Sequence, residues 1–245
     1  MFDHLAKMAG TVIMDYTQQR MIQRLTERGF ETVSDLLAVE KRIVLKVNGE
    51  ETLSASCSPG RLRGLIYGFL LSTGMIYTPD DVLSFSQNKR YVSVDIRHAE
   101  PPPIAPIRQP FVIPAKQLLI TAEESKRRGR IFQRTGGTHS VAISTASRIM
   151  VFVEDISRTC ALEKAVGEAF ISQVDLSHAF VFLSSRIDEQ MLARLARCGV
   201  PIIGCVSAPT AGAVELAERL GVCLCGFVRG QRLNVYSHPE RITYE

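Results

Sequence analysis

The sequence predicts an α/β protein: a three-layer domain with a mixed sheet over residues 111–245, a smaller α+β subdomain over 31–110, and a helical extension over 1–30. Three observations predict it. From residue 115 onward, segments of helical period alternate with short β-rich runs, the pattern of helices layered on a partly parallel sheet. Before residue 97, hairpin chemistry and two-residue alternation prevail instead. Between them lies His98-Ala99-Glu100-Pro101-Pro102-Pro103-Ile104-Ala105-Pro106, with Pro110 and Pro114 beyond. Proline lacks the backbone donor, so this stretch can continue neither a helix nor a central strand and reads as a linker or exposed loop.

Leu5, Met8 and Val12, then Met21, Ile22 and Leu25, recur at helical spacing, and Arg28-Gly29 supplies a stop, so 1–30 reads as helix. Residues 33–57 read as strands. Ile43-Val44-Leu45-Lys46-Val47 is β-rich, and Asn48-Gly49 is a two-residue hairpin signal. Ser58-Pro59 is expected to open the next helix, serine as N-cap and proline in the first turn, with the helix over 61–72 and Gly74 at its end. Tyr91, Ser93 and Asp95 interleave with Val92, Val94 and Ile96, which gives a strand with one buried face. Beyond the prolines the expected order is helix 115–129, strands 139–145 and 149–154, helix 160–174, strand 179–183, helix 188–198, strand 202–207, helix 210–220, then strands 222–228 and 232–236.

The 245 residues are 46% hydrophobic and 22% charged, enough for a sizeable core. Tryptophan is absent and aromatics are 7%, so aliphatic and alanine side chains must fill it. A net charge of +4 argues against a dedicated nucleic-acid binder but leaves basic side chains to meet phosphates locally. Met1-Phe2-Asp3-His4 is not the basic start of an export signal, and the apolar run over 65–75 is far shorter than the roughly 20 residues of a membrane span. The expectation is a cytoplasmic protein without membrane contact. Its six cysteines, Cys57, Cys160, Cys198, Cys205, Cys223 and Cys225, are then free thiols. Cys223 and Cys225 share one strand face and read as core thiols rather than metal ligands; no structural metal is expected.

In such sheets ligands bind beyond the carboxyl ends of strands, on loops and helix N-termini. Three segments fall at such places. Gln133-Arg134-Thr135-Gly136-Gly137-Thr138-His139-Ser140 has paired glycines that permit close backbone approach and N–H groups that could cradle a phosphate. A helix C-cap leading into a strand is the plain structural alternative, and a satisfied structural histidine the alternative for His139. Cys205-Val206-Ser207-Ala208-Pro209-Thr210 runs from a buried strand into a helix, where hydroxyls beside free N–H groups suit an anion; ordinary N-capping is the alternative. Gly226-Phe227-Val228-Arg229-Gly230-Gln231-Arg232 places two arginines about a glycine turn, where guanidinium forks can bind phosphate; a solvated hairpin tip is the alternative. The run Lys126-Arg127-Arg128-Gly129-Arg130 reads as a solvated helix end, or as a patch that attracts a polyanion. A zinc deaminase is not supported: His139 is followed by Ser140-Val141 without the required glutamate, and no Pro-Cys-x-x-Cys occurs.

These segments resemble the FdhD family of formate dehydrogenase accessory proteins. The resemblance is carried by Val47-Asn48-Gly49, Cys57-Ser58-Pro59 with Gly68-Phe69-Leu70-Leu71, residues 132–139, Glu154-Asp155-Ile156-Ser157-Arg158, Ala161-Leu162-Glu163-Lys164-Ala165-Val166-Gly167, residues 206–210 with Ala213-Val214-Glu215-Leu216-Ala217, and residues 226–236. It covers roughly 35–245. It implies a cytidine-deaminase-like sandwich and a cytoplasmic homodimer. It also implies binding of the bis-molybdopterin guanine dinucleotide cofactor, for which GDP is an analogue, and transfer of sulfur to it from a cysteine desulfurase for formate dehydrogenase. The family's nucleotide-binding stretch falls on Phe227, Val228, Arg229, Gly230, Gln231 and Arg232. Phe227 would stack on or wall off a guanine, and Arg229 and Arg232 would meet phosphates. Thr135, Gly136, Gly137, His139 and Ser207 complete the expected cofactor-binding set.

Two departures stand out. The resemblance implies a Cys-x-x-Cys pair before the Thr-Gly-Gly segment, yet 91–115 holds no cysteine, and Ser157-Arg158-Thr159-Cys160 stands where the family has Gly-Arg-His-Asn. Two readings stay open: a sulfur carrier that uses another thiol, or a cofactor chaperone or nucleotide- and anion-binding protein on the same fold without sulfur transfer. Cys160 at the start of a helix, where the dipole favours a thiolate, and Cys57, near Arg61 and Arg63, are the candidate thiols.

Overall fold

The computed structural model describes residues 16–97 and 101–244. The helix expected over 1–30 is corrected where it can be seen; residues 1–15 lie outside the described residues. β1 (Thr17–Thr26) and β2 (Gly29–Ala38) form an antiparallel hairpin paired from Thr17↔Ala38 to Thr26↔Gly29. Arg20 sits opposite Asp35 and Arg24 opposite Glu31, and the Gln19 and Gln23 amides donate to Ser34 and Thr32 hydroxyls at 2.6 and 2.8 Å. Such cross-strand pairs stabilise a ribbon that the spacing of Met21, Ile22 and Leu25 does not reveal.

β3 (Lys41–Val47), β4 (Glu50–Cys57), β5 (Val82–Gln87) and β6 (Tyr91–Ile96) form a four-stranded sheet in the order β4-β3-β6-β5. Asn48 and Gly49, at φ 50° and 88°, make the expected β3–β4 turn, since both residues accept the left-handed conformation it needs. Val92, Val94 and Ile96 are buried and Tyr91, Ser93 and Asp95 exposed. α1 (Leu62–Thr73) packs on this sheet and ends at Gly74, whose N–H meets the Leu70 and Leu71 carbonyls. Its start differs from expectation: Arg61, at φ 49°, precedes the helix, and no side chain caps it. Ser58 is buried instead and bonded to the second half of the chain.

The larger sheet has the order β13-β12-β11-β10-β8-β9. It comprises β8 (His139–Ser144), β9 (Ile149–Asp155), β10 (Phe180–Leu183), β11 (Ile202–Cys205), β12 (Cys223–Arg229) and β13 (Arg232–Ser237). β10, β11 and β12 are parallel, while β8 and β13 run antiparallel to their neighbours, so the sheet is mixed. Val181, Leu183 and Ile203 face a layer made by α4 (Arg158–Ile171), α5 (Glu189–Arg197) and α6 (Ala211–Leu220). Phe180, Phe182 and Ile202 face α2 (Ala115–Arg128) on the other side. Covered on both faces, the short central strands are apolar throughout. A six-residue helix, α3 (Arg130–Thr135), follows Gly129 and was not expected.

The 101–112 segment has no regular structure, as its prolines require, before β7 (Ile113–Pro114) pairs in parallel with β14 (Ile242–Thr243). Buried Arg241 holds it down, donating to the Ile107 and Gln109 carbonyls at 3.0 and 2.9 Å. The two sheets are joined where α1 crosses α4. A Cβ on Gly68 would overlap the Glu163 carbonyl, and one on Gly167 the Gly64 carbonyl, so only glycine permits this approach.

Candidate functional site

The carboxyl ends of β10, β11 and β12 and the start of β8 meet at one edge of the large sheet. Between that edge, α2 and α3 lies a cavity of about 1120 Å³. Gly136, left-handed at φ 65°, ends α3 and leaves open space above its Cα. Thr135 shapes the turn from behind: its hydroxyl donates to the Ile131 carbonyl at 2.8 Å and accepts from the Gly137 N–H at 3.1 Å. The Glu154 carboxylate binds the Ile131 and Phe132 amides at 3.1 and 2.8 Å and the Thr138 hydroxyl at 3.1 Å. One acid thus caps α3 and fixes the Thr-Gly-Gly-Thr loop, which links two segments that are 16 residues apart.

His139 opens β8 beside the cavity. Burial and then the neighbouring Arg158 hold its imidazole pKa below the usual 6.5, with Asp155 opposing, so the ring is neutral at pH 7. From β12, Val228, Arg229 and Gly230 reach the cavity. Phe227, Gln231, Arg232 and Thr135 are not part of its wall. Phe227 sits at φ 52° in a register irregularity of the β12–β13 pair and donates to the Ser207 carbonyl at 3.3 Å. Its ring lies 5.6 Å from the Arg229 guanidinium carbon, a cation–π arrangement that aims this arginine. Arg229 and Arg232 pair across the Gly230-Gln231 turn, both exposed.

A second cavity of about 830 Å³ adjoins the first, and His139 and Ser184 line both. Ser207 belongs here, with Arg158, Thr159 and Arg186. Ser184 exchanges two hydrogen bonds with the Ser140 backbone at 2.7 and 2.9 Å, and Arg158 pairs with Asp188 at 2.9 Å. Sequence reading missed Ser184 and Arg186, although they follow a β10 strand whose carboxyl end was predicted. It also missed Ser125; Gln133, at the head of the expected Gly-Gly segment, lines the first cavity and closes the end of α2 by donating to the Lys126 carbonyl at 2.7 Å.

Behind this edge is a buried ion pair. Lys164 Nζ lies 2.7 Å from Asp155 Oδ2 and donates to the Ser58 carbonyl at 2.6 Å. Asp155 also accepts from the Ser58 and Ser157 amides at 3.1 and 2.9 Å, and the Ser58 hydroxyl accepts from the Ile156 N–H at 3.1 Å. Every charged atom has a partner, and the loop carrying Arg158 is tied to the end of β4.

The candidate thiols line neither of these two cavities; Cys160 borders a third, of about 260 Å³, next to Thr159. Cys160 does stand in the first turn of α4, but burial outweighs the helix dipole and pushes its thiol up to about 12. Cys57 is 1% exposed and its pKa is likewise raised by burial. Cys205, Cys223 and Cys225 are buried, and Cys198 is half-buried. Cys223 and Cys225 face one another at 3.8 Å inside the core. Among the described residues no three metal-ligating side chains converge, and no described helix is long and apolar enough to cross a membrane.

Fold and site together define a three-layer α/β sandwich with a cleft at the carboxyl edge of its mixed sheet, where apolar walls stand beside polar and charged side chains. Comparison with known proteins makes this specific. The chain belongs to the FdhD/NarQ family, whose model matches residues 38–109 and 99–243. It is 30% identical to the sulfur carrier protein FdhD of Methanothermobacter thermautotrophicus, over 83% of this chain and 89% of that one. It is 28% identical to the protein of the same name from Bacillus pumilus, over 92% and 97%. The crystal structure of a Desulfotalea psychrophila protein, whose proposed role is formate dehydrogenase accessory protein, superposes with a TM-score of 0.83 at 22% identity, covering 93% of this chain and all of that one. That likeness establishes the fold.

Proposed function

We propose that this protein is an accessory factor in formate dehydrogenase maturation that binds bis-molybdopterin guanine dinucleotide, as cargo, by its nucleotide ends. The observation that carries the reading is the pair of adjoining cavities sharing His139 and Ser184, each as large as a nucleotide site requires. The donor set suits the cargo. Lys126 and Arg229 border the first cavity and Arg158 and Arg186 the second; Ser184 lines both and Ser207 the second, and these groups are partners for phosphate oxygens. Gly136 and Gly137 admit close backbone approach. Arg232 adds a second guanidinium outside the wall, and Phe227 acts through Arg229. In this reading the nucleotide ends are the handle.

The relatives are named sulfur carriers, and a cysteine desulfurase, a formate dehydrogenase and a second copy of this chain in the cytoplasm belong to the same reading. Sulfur transfer through this chain's own thiol is the second reading, supported by that name. Its carrier would be Cys160 or Cys57, both buried. Intact-mass measurement after incubation with a desulfurase and cysteine separates the two: a gain of one sulfur at either residue establishes the carrier, and no gain leaves cofactor binding alone. Cofactor binding itself is tested by calorimetry with GDP. The Arg229→Ala, Arg232→Ala double variant is expected to weaken binding at least tenfold, about 1.4 kcal/mol. Unchanged affinity would remove both arginines from the site.

A further inference from the structure

The first cavity holds a polar group that its wall does not explain. Ser125 is 2% exposed, lines the cavity, and its hydroxyl has no hydrogen-bond partner among the described residues. A buried hydroxyl without a partner is disfavoured, so its retention at a cavity wall calls for a partner from outside the chain. The only other such hydroxyl among the described residues, Ser144, sits at the opposite end of β8 and lines no part of this cavity.

Helical geometry places Ser125 deliberately. Ala122, Ser125 and Lys126 stand at i, i+3 and i+4 on α2, with its C-cap Gly129 continuing the row, so one face of that helix forms the wall. Across from it are Phe182, Val206 and Val228 from the sheet, and Phe132 from α3. Ser125 is thus a buried polar point beside apolar walls, while the cations Lys126 and Arg229, with the carboxylate of Glu123, are exposed at the border. A matching ligand is apolar on its flat faces, polar along one edge and anionic at its far end. That is a nucleotide entering base first.

We propose that Ser125 is a base-reading residue of this cavity, its Oγ bonding the polar edge of a purine held between α2 and the ends of β10, β11 and β12. The inference deepens the cofactor-binding reading and rests on it. A hydroxyl both donates and accepts, so it can meet a ring carbonyl or a ring N–H. Phosphates then point toward Arg229 and the second cavity.

The test is calorimetry of the full-length protein with two probes, GDP and inorganic pyrophosphate, on the wild type and Ser125→Ala. GDP binding is expected to weaken roughly 3- to 30-fold, the factor for one hydrogen bond lost inside a cavity. Pyrophosphate binding is expected to stay unchanged. The unliganded variant is expected to melt at or above the wild-type temperature, because an unpartnered hydroxyl has been removed. Wild-type GDP affinity in Ser125→Ala would overturn this inference alone and mean that the hydroxyl meets only water. An equal loss for both probes, or a lowered melting temperature, would also overturn it, since it would show a structural role. A wild type that binds neither probe would overturn the parent reading and this inference with it.

Discussion

Replacing Lys164 by methionine removes one charge from the pair behind the site and leaves most of the packing volume. Lys164 is 1% exposed and Asp155 0%, so the remaining carboxylate cannot turn to water. It keeps the Ser58 and Ser157 amides, while the Ser58 carbonyl loses its donor at 2.6 Å. Breaking a buried pair in this way costs about 3–5 kcal/mol, most of it the uncompensated charge. For a chain of this size that corresponds to a melting temperature lower by roughly 6–20 °C. Urea unfolding followed by circular dichroism reads the loss directly. The double variant Asp155→Leu, Lys164→Met leaves no buried charge and is expected to cost no more than either single change, well short of their sum. A single substitution costing less than about 1 kcal/mol, or strict additivity in the double, would refute the view that the pair is desolvated and mutually dependent.

Gly68→Ala and Gly167→Ala are each expected to destabilise by at least about 1–3 kcal/mol, because a Cβ meets backbone across the α1–α4 crossing; neutral unfolding midpoints would contradict that contact. His139 has a folded pKa below its unfolded value, so its neutral form is favoured in the fold and stability is lost as pH falls below about 6.5. His139→Gln should therefore flatten the acid limb of the stability curve, and identical curves would show that neither burial nor Arg158 holds the ring neutral. The Cys160 thiol, raised from 9.0 to about 12, should hold roughly a thousandfold less thiolate at pH 8 than in the unfolded chain. Iodoacetamide should then leave it unlabelled until urea is added; rapid native labelling detected by peptide mass would refute its burial.

The alternating second half was legible because its strands are buried on both faces, so their apolar runs contrast sharply with the amphipathic helices around them. Asn48-Gly49 announced its turn through backbone chemistry alone. The β1–β2 hairpin was not legible. Its stabilising pairs, such as Arg24 with Glu31, lie across the turn, while Met21, Ile22 and Leu25 mimic a helical stripe within one strand. Ser58-Pro59 looked like a helix start, but Ser58 is used in tertiary bonds to Ile156 and Asp155 that no local pattern encodes. At the site, Gly136 and Gly137 and the arginine turn carry their own signals. Ser125 does not, since a serine on the inner face of α2 differs from a core residue only in the cavity it borders. Position at a helix start, which singles out Cys57 and Cys160, is sequence information; the burial that raises both thiol pKa values is not.

The most direct measurement is to purify the protein from cells that make the molybdenum cofactor and determine molybdenum and guanine on the protein itself. Both are expected to co-purify, with about two guanines per molybdenum as the bis-dinucleotide requires, and Arg229→Ala, Arg232→Ala is expected to strip them together. A well-folded wild type that carries neither, or that carries nucleotide without molybdenum, would contradict cofactor binding.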